Sequence, residues 1–201
     1  PDSPEPVPEK VLLSLKPQEM DYAKTLRGYR QVQFVGGRLA ARHAARQLRC
    51  ELPALLSDHR GAPMGPESVC ISISHKRTIA LAIVSAKGDF CLGVDLETYG
   101  PARPGIAKKV LTEKERAENR NIEQDDRRWI DTLLRFSIKE SIYKAIDPFV
   151  QRYVGFEEAI VNPGLDGTAE VELHLKHQEG PFWVDARYEW LHGRLMTSVR
   201  I

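Results

Sequence analysis

The sequence predicts an α+β fold built from two halves of similar size, and two pairs of observations lead to this prediction. An Arg-rich stretch at 27–49 has helical spacing, and two apolar, strand-like runs joined by a short turn follow it. A second long helical stretch at 127–146 is followed by four segments in which apolar and polar residues alternate. Each half therefore combines a helix with antiparallel strands, which is the composition of an α+β protein.

The elements of each half can be placed along the chain. The N-terminal half, 1–91, is predicted to have a polar leader, the helix at 27–49, and strands at 69–75 and 78–85. The C-terminal half, 92–201, is predicted to have a strand at 90–97 that crosses the boundary, a charged helical stretch at 104–120, the helix at 127–146 stopped by Asp147 and Pro148, and strands at 153–161, 168–175, 182–190 and 194–201.

Composition limits the classes of protein that this chain can represent. Lys and Arg number 29 against 28 Asp and Glu, so the net charge of +1 gives no overall attraction to nucleic acid or to a membrane surface. No apolar run approaches the ~18 residues that a membrane span needs. The cysteines Cys50, Cys70 and Cys91 are odd in number and never form C-x-x-C, which favours a reduced, cytoplasmic protein over a disulfide framework.

The stretch GVDLE at 93–97 places two carboxylates on one face of a strand. Residues two apart in a strand point the same way, so Asp95 and Glu97 are neighbours. Val94 and Leu96 then face the core. Neighbouring carboxylates repel unless a cation lies between them, and hard oxygen ligands suit Mg²⁺. A strand that turns polar as it reaches solvent is the alternative, and this pattern alone leaves both open.

The predicted helix at 27–49 carries a stripe of positive charge. Five arginines fall within roughly half of its circumference: Arg30, Arg38, Arg42, Arg46 and Arg49. Matching acids at i,i+4 are missing from the sequence, so these charges repel one another. A phosphate-binding stripe would explain the arrangement, and a solvated basic face is the alternative.

SISH at 72–75 ends a strand with two polar side chains, Ser74 and His75, where a polar loop begins. A Ser-His hydrolytic triad is a poor interpretation because no acid stands at a suggestive spacing. A Walker loop, G-x-G-x-x-G and H-E-x-x-H are also missing from the sequence.

FSIKESIYKA at 136–145 sets three charged residues on an otherwise amphipathic helix. Glu140 and Lys144 are four apart and share a face, with Lys139 beside them. By itself such a pair is ordinary on a solvated helix surface, so its meaning depends on the other motifs.

The succession GGRLAAR, SISH, GVDLE and FSIKESIYKA resembles the 4'-phosphopantetheinyl transferases of the two-half type, which includes enterobactin synthetase component D and the surfactin-type enzymes. The pair G-[VI]-D-[LI]-E and F-S-x-K-E-x-x-x-K-A is specific, and the similarity spans 27–146. The resemblance implies a monomeric pseudo-dimer of two α+β halves with antiparallel sheets and the active site in the cleft between them. It also implies Mg²⁺-dependent transfer of the phosphopantetheine arm of coenzyme A to a serine of an apo carrier protein, with release of 3',5'-ADP.

The resemblance further implies roles for individual residues. The implied Mg²⁺ ligands are Asp95, Glu97 and Glu140, and the implied catalytic residues are Glu140, Lys139 and Glu115, with Glu115 as a general base. The implied contacts to coenzyme A are Arg30, Arg38, Arg60, Ser74, His75, Lys139 and Lys144, of which Arg30, Arg38 and His75 face the 3'-phosphate and Lys144 the pyrophosphate. The nucleophile belongs to the carrier protein, so no activated Ser or Cys is needed in this chain.

The partners implied are coenzyme A and apo acyl, peptidyl or aryl carrier proteins, without nucleic acid. For the carrier we predict docking on the segment 100–111, which carries Arg103, Lys108 and Lys109; an ordinary solvated linker is the alternative. Two other functions stay open. A non-catalytic module that binds coenzyme A or carrier protein would be expected to lack a metal ligand, and a Mg²⁺-dependent phosphohydrolase usually needs a second metal site.

Overall fold

The computed structural model describes residues 4–86, 88, 90–103 and 105–201, and the chain divides into two compact units, Pro1–Leu92 and Gly93–Ile201. The first unit contains α1 (Glu9–Leu12), α2 (Pro17–Thr25), α3 (Gly28–Gln47), β1 (Val69–Lys76) and β2 (Ile79–Ala86). Both units combine helices with antiparallel strands, so the predicted α+β class is confirmed.

In the first unit, α3 packs on the antiparallel hairpin of β1 and β2. The small side chains that the sequence places on one side of α3 allow close packing, and Ala41 and Ala45 are buried there. At Gly37 a Cβ atom would lie only 2.9 Å from Cγ2 of Ile73, so a larger residue would push helix and strand apart. The two glycines of GGRLAAR thus lie where α3 crosses the hairpin.

The N-terminal leader forms α1 and α2, which pack against α3 through an apolar cluster that includes Leu12, Leu15 and Phe34. Glu19 of α2 is fully buried, and its carboxylate accepts a hydrogen bond from the Leu55 amide (2.7 Å) and pairs with the Arg42 guanidinium (2.8 Å). The leader is therefore part of the folded first unit.

The second unit is a five-stranded sheet with one long helix on it. Its elements are β3 (Leu92–Thr98), α4 (Ile106–Val110), α5 (Glu113–Arg120), α6 (Asp125–Val150), a 3-10 turn (Phe156–Glu158), β4 (Ala159–Pro163), β5 (Thr168–Leu173), β6 (Asp185–Leu191) and β7 (Arg194–Arg200). The strand order is β3-β7-β6-β5-β4, so the C-terminal meander is antiparallel as predicted and β3 joins it beside β7. The core lies between α6 and this sheet, around Ile138, Ile142 and Val161.

Three predicted elements differ from the structure. The charged stretch at 104–120 is two helices, because Thr112 caps α5 with its side chain and breaks the helix there; residue 104 lies outside the described residues. Helix α6 continues through Pro148 to Val150, because a proline in the last turn removes only one helical hydrogen bond. The strand predicted at 153–161 begins only after the 3-10 turn.

Helix α6 is the longest of the described helices at 26 residues, and charged residues occur along its length. Within the described part of the chain, none of the helices combines the length and the apolar character that a membrane crossing requires.

Candidate active site

Strand β3 buries two carboxylates on one side. The side chains of Asp95 and Glu97 are two residues apart, and each residue is only 4% exposed. Val94 and Leu96 are buried on the other side, as the alternation predicts. Burying a carboxylate costs free energy unless a cation or hydrogen-bond donors compensate its charge. The groups that surround Asp95 and Glu97 therefore show how these charges are stabilised.

Both carboxylate oxygens of Asp95 are bound by side chains of α6. The Lys144 ammonium donates to Oδ1 (2.9 Å) and to the main-chain oxygen of Val94 (2.9 Å). The Ser137 hydroxyl donates to Oδ2 (2.9 Å). The two motifs GVDLE and FSIKESIYKA, more than 40 residues apart in sequence, therefore meet at Asp95.

Gly93 allows strand β3 and helix α6 to approach one another closely. A Cβ atom at this position would lie 1.8 Å from the main-chain oxygen of Ser141 and 2.8 Å from the Ala145 amide nitrogen. Strand β3 thus rests directly on the backbone of α6, and only a residue without a side chain fits there.

Glu97 faces a second cation, Arg103, which lies on the segment 100–111 that the sequence predicts to dock the carrier protein. The Arg103 guanidinium lies 3.7 Å from Glu97 Oε2, and it is held over the rings of Trp129 (5.6 Å) and Phe136 (5.5 Å). Trp129 in turn donates from its indole to Gly100 O (2.7 Å), which ties the loop to α6. The Arg103 side chain is 49% exposed, so its charge is accessible from solvent.

One face of α6 is directed at β3. Ser137, Glu140 and Lys144 are spaced by three and four residues, which places them along one side of the helix. The outer two contact Asp95, and Glu140 lies between them in this row. However, among the described residues no group of three His, Cys, Asp or Glu side chains lies close enough to hold a metal ion, so the predicted ligand set stays a prediction.

Lys139 points elsewhere and is fully buried. Its ammonium donates three hydrogen bonds, to Glu115 Oε2 (2.7 Å), Val110 O (3.0 Å) and Phe156 O (2.9 Å). Burial lowers the pKa of Lys139, and the adjacent Glu115 carboxylate opposes that shift. All three N–H groups of this lysine are bound within the second unit.

Glu115 is also fully buried, with contacts at both oxygens. Oε2 accepts from the Thr112 amide (2.7 Å) as well as from Lys139, and Oε1 accepts from the Val161 amide (2.9 Å). Arg135 lies 3.7 Å from Oε1. The implied general base and the implied catalytic lysine are thus brought together as a buried pair that joins α5, α6 and β4.

In the first unit, Arg38 is buried among protein groups. Its Nε donates to Leu55 O (2.8 Å), Nη2 donates to Ser57 Oγ (2.9 Å), and the guanidinium lies over the Phe34 ring (4.0 Å). Burial lowers the pKa of Arg38, with Glu19 opposing the shift.

The predicted arginine stripe on α3 is corrected in two respects. Arg42 has an acidic partner, Glu19, which comes from α2 and could not be found by looking for i,i+4 pairs. Arg49 lies beyond the end of α3, with a φ of 53°, so it does not continue the helical face. Arg30 and Arg46 are exposed on the helix as predicted.

The other residues that the resemblance assigns to coenzyme A lie on the hairpin and the loop before it. Ser74 is buried and His75 exposed, since consecutive residues of β1 point to opposite faces. Arg60 pairs with Asp58 (3.6 Å), whose carboxylate also accepts from the Arg60 amide (2.8 Å). These assignments stay predictions.

Comparison with known families decides the membership of this chain. The profile of the 4'-phosphopantetheinyl transferase N-terminal domain matches residues 18–85, and that of the 4'-phosphopantetheinyl transferase superfamily matches residues 91–193. The chain belongs to the 4'-phosphopantetheinyl transferase superfamily. The resemblance stated from the four motifs is therefore confirmed.

Individual members of the superfamily are similar over most of this chain. The 4'-phosphopantetheinyl transferase Npt of Nocardia iowensis is 34% identical over 152 residues, covering 75% of this chain and 67% of that protein. Svp of Streptomyces mobaraensis is 32% identical over 192 residues, covering 93% and 76%. Enterobactin synthase component D of Salmonella typhi is 28% identical over 157 residues, covering 74% and 57%.

Two polar residues near Asp95 were not singled out from the sequence. Ser137 was quoted within its motif but given no role, although it binds Asp95 directly. Thr197 of β7 lies in an apolar inward row between Leu195 and Val199, and is 1% exposed. A single hydroxyl in such a row was the signal that could have been noticed.

Proposed function

We propose that this protein transfers the 4'-phosphopantetheine arm of coenzyme A to a serine of an apo carrier protein. The serine oxygen forms a bond to the phosphorus that bears the pantetheine, the pyrophosphate P–O bond breaks, and 3',5'-ADP leaves while a base takes the serine proton. The observation that carries the proposal is the junction of the two family motifs at Asp95, bound by Lys144 and Ser137. Membership of the superfamily supports the transfer chemistry.

Asp95, Glu97 and Glu140 are the residues that would hold Mg²⁺. The chemistry of these donors suits this ion, because all three offer hard carboxylate oxygens. The buried charges of the first two are balanced by Lys144 (2.9 Å) and Arg103 (3.7 Å), and a divalent cation would meet the same electrostatic need. When bound, Mg²⁺ supplies Lewis-acid polarisation of the pyrophosphate.

The two basic groups beside the carboxylates are proposed to bind the pyrophosphate. The Lys144 side chain is 29% exposed, so its ammonium can face a ligand while it holds β3. Arg103 is stacked over two aromatic rings, which limits its side-chain entropy before a phosphate oxygen is bound. Both groups place positive charge where the leaving phosphate gains negative charge.

For Lys139 and Glu115 we propose a supporting role in preference to proton transfer. Their complete burial and their bonds to main-chain groups favour this assignment. Anchoring Lys139 fixes the rotation of α6, and Glu140 is the next residue on that helix. The pair would then act on the reaction by holding Glu140 in place.

The first unit is proposed to contribute contacts to the 3'-phosphate of coenzyme A. Arg30 and His75 are exposed, so they can meet a ligand. Arg38 is held in a fixed position by Leu55 and Ser57, and its guanidinium carries further N–H donors. Ser74 and Arg60 complete the proposed coenzyme A contacts.

The function is tested by incubating an apo carrier protein with the protein, coenzyme A and Mg²⁺, followed by mass spectrometry of both products. A carrier protein heavier by one phosphopantetheine arm, together with 3',5'-ADP, is the expected result. Controls are a carrier with the target serine changed to alanine, and a reaction with EDTA. An unchanged carrier with bound coenzyme A would indicate a binding module, and phosphate released from coenzyme A alone would indicate a phosphohydrolase; either result refutes the proposal.

A further inference from the structure

Three buried hydroxyl groups form a chain that ends on Asp95. Ser137 and Ser141 of α6 are fully buried, and Thr197 of β7 is 1% exposed. Ser141 Oγ lies 2.7 Å from Thr197 Oγ1, which lies 3.0 Å from Ser137 Oγ and 2.9 Å from Ser137 O. Ser137 Oγ lies 2.9 Å from Asp95 Oδ2, so the chain links β7, α6 and β3.

The direction of these hydrogen bonds follows from the acceptor at the end. At that end the Ser137 hydroxyl donates to Oδ2 of Asp95 (2.9 Å), while Lys144 donates to Oδ1 (2.9 Å). The Ser137 hydroxyl oxygen can then only accept, and the Thr197 hydroxyl donates to the main-chain oxygen of Ser137 (2.9 Å), with Ser137 Oγ at 3.0 Å.

With its proton used in this way, Thr197 Oγ1 can accept from Ser141 Oγ (2.7 Å), which also lies 3.2 Å from Thr197 O. Thr197 is thus held between Ser141 and Ser137, next to the bond from Ser137 to Asp95.

A helical serine usually satisfies its own hydroxyl with a carbonyl one turn earlier. Ser137 instead donates to Asp95, 42 residues away in sequence, and Thr197 interrupts an apolar row to support it. We propose that this hydroxyl chain positions the Asp95 carboxylate for the divalent metal, with Ser137 and Thr197 as positioning residues. The inference rests on the proposed function, because it names what orients one of the proposed metal ligands.

Thr197→Val tests the chain, since valine keeps the shape of threonine and removes the hydroxyl. Thr132→Val is the matched control: Thr132 is also buried (3% exposed) and donates to a main-chain oxygen of α6, Arg128 O (2.8 Å), but it has no contact with Asp95. Thr197→Ser keeps the hydroxyl and serves as the rescue variant.

Mn²⁺ affinity, measured by electron paramagnetic resonance in the presence of coenzyme A, is the main measurement. Groups that orient a metal ligand typically contribute ~10- to 100-fold in affinity, so Thr197→Val should bind Mn²⁺ about 10-fold more weakly. Thr197→Ser and Thr132→Val should stay near wild type. Crystal structures of both valine variants give a second measurement, with Asp95 turned away from its original position only in Thr197→Val.

Equal Mn²⁺ affinity of the two valine variants, with Asp95 unmoved in both, would overturn the proposal. Weaker Mn²⁺ binding in both valine variants alike would also overturn the proposal, because the loss of any buried hydroxyl would then be enough to lower the affinity. A wild-type protein that fails to modify carrier proteins refutes the proposed function instead. In that case the position of Asp95 in the two crystal structures still decides whether the hydroxyl chain holds it.

Discussion

Gly93→Ala should separate β3 from α6. Non-bonded carbon and oxygen atoms come no closer than about 3.3 Å, and the new Cβ would lie 1.8 Å from Ser141 O. The strand would have to withdraw by about 1.5 Å, which lengthens 2.9 Å hydrogen bonds beyond the limit of hydrogen bonding. The bonds that are lost join Lys144 to Val94 and to Asp95.

The cost can be worked from these contacts. Overpacking costs about 1–3 kcal/mol, and loss of the two hydrogen bonds of the Lys144 ammonium adds about 3–6 kcal/mol. A total of roughly 4–9 kcal/mol is a large part of the stability of an ordinary domain, about 5–15 kcal/mol. We expect Gly93→Ala to lower the melting temperature by about 10 °C or more.

Gly100→Ala is the control for this experiment. A Cβ at Gly100 meets no atom within 4 Å, and its φ is not positive, so alanine should be tolerated there. Thermal and urea unfolding of the two variants measure the difference. If Gly93→Ala is as stable as Gly100→Ala and keeps wild-type transfer activity, the contact between β3 and α6 is not as close as described and the reasoning fails.

Glu140→Gln should abolish transfer if this residue is a Mg²⁺ ligand, because Lewis-acid stabilisation contributes several kcal/mol; near wild-type turnover at saturating Mg²⁺ would exclude that role. Arg152→Met should destabilise the protein, since it removes the close ion-pair partner of the buried Glu158 (2.7 Å) and leaves only the more distant Lys176 (3.8 Å). Hydrogen bonding from Arg152 lowers the pKa of Glu158 to about 2, so this stabilisation is present above about pH 4.5 and is lost as the pH falls toward 2. Urea unfolding at pH 7 and pH 3 should therefore show a weaker pH dependence in the variant, and an unchanged dependence would contradict the assignment. Reversing Lys108 and Lys109 to Glu should raise the KM for carrier protein and leave that for coenzyme A unchanged; a wild-type KM for carrier at low ionic strength would place the docking surface elsewhere.

Local patterns were sufficient to predict most of the second unit. The period-two alternation of the C-terminal segments predicted β4 to β7, and GVDLE predicted that Asp95 and Glu97 share a face. The break at Thr112 was missed although the capping pattern is local, because the charged residues on both sides favour helix equally. Pro148 was given too much weight as a helix terminator.

Contacts between distant segments could not be predicted in this way. The pairing of Glu19 with Arg42 joins two helices through a buried salt bridge, and no local sequence pattern around either residue identifies its partner. The approach of Arg103 to Glu97 depends on the path of a loop and on two aromatic rings. Such contacts follow from tertiary packing, and only the family resemblance gave any sequence-level information about the site as a whole.

Helix α6 is fixed at two sides of its axis. Lys139 and Lys144 are five residues apart, or roughly 140° around the helix, and each is bonded to a different part of the second unit. A rotation of α6 about its axis would break the hydrogen bonds of at least one of the two ammonium groups. Rotation in either direction is therefore resisted. The conformational entropy of placing the Glu140 backbone is consequently lost once, during folding, and does not have to be lost again if a ligand binds there.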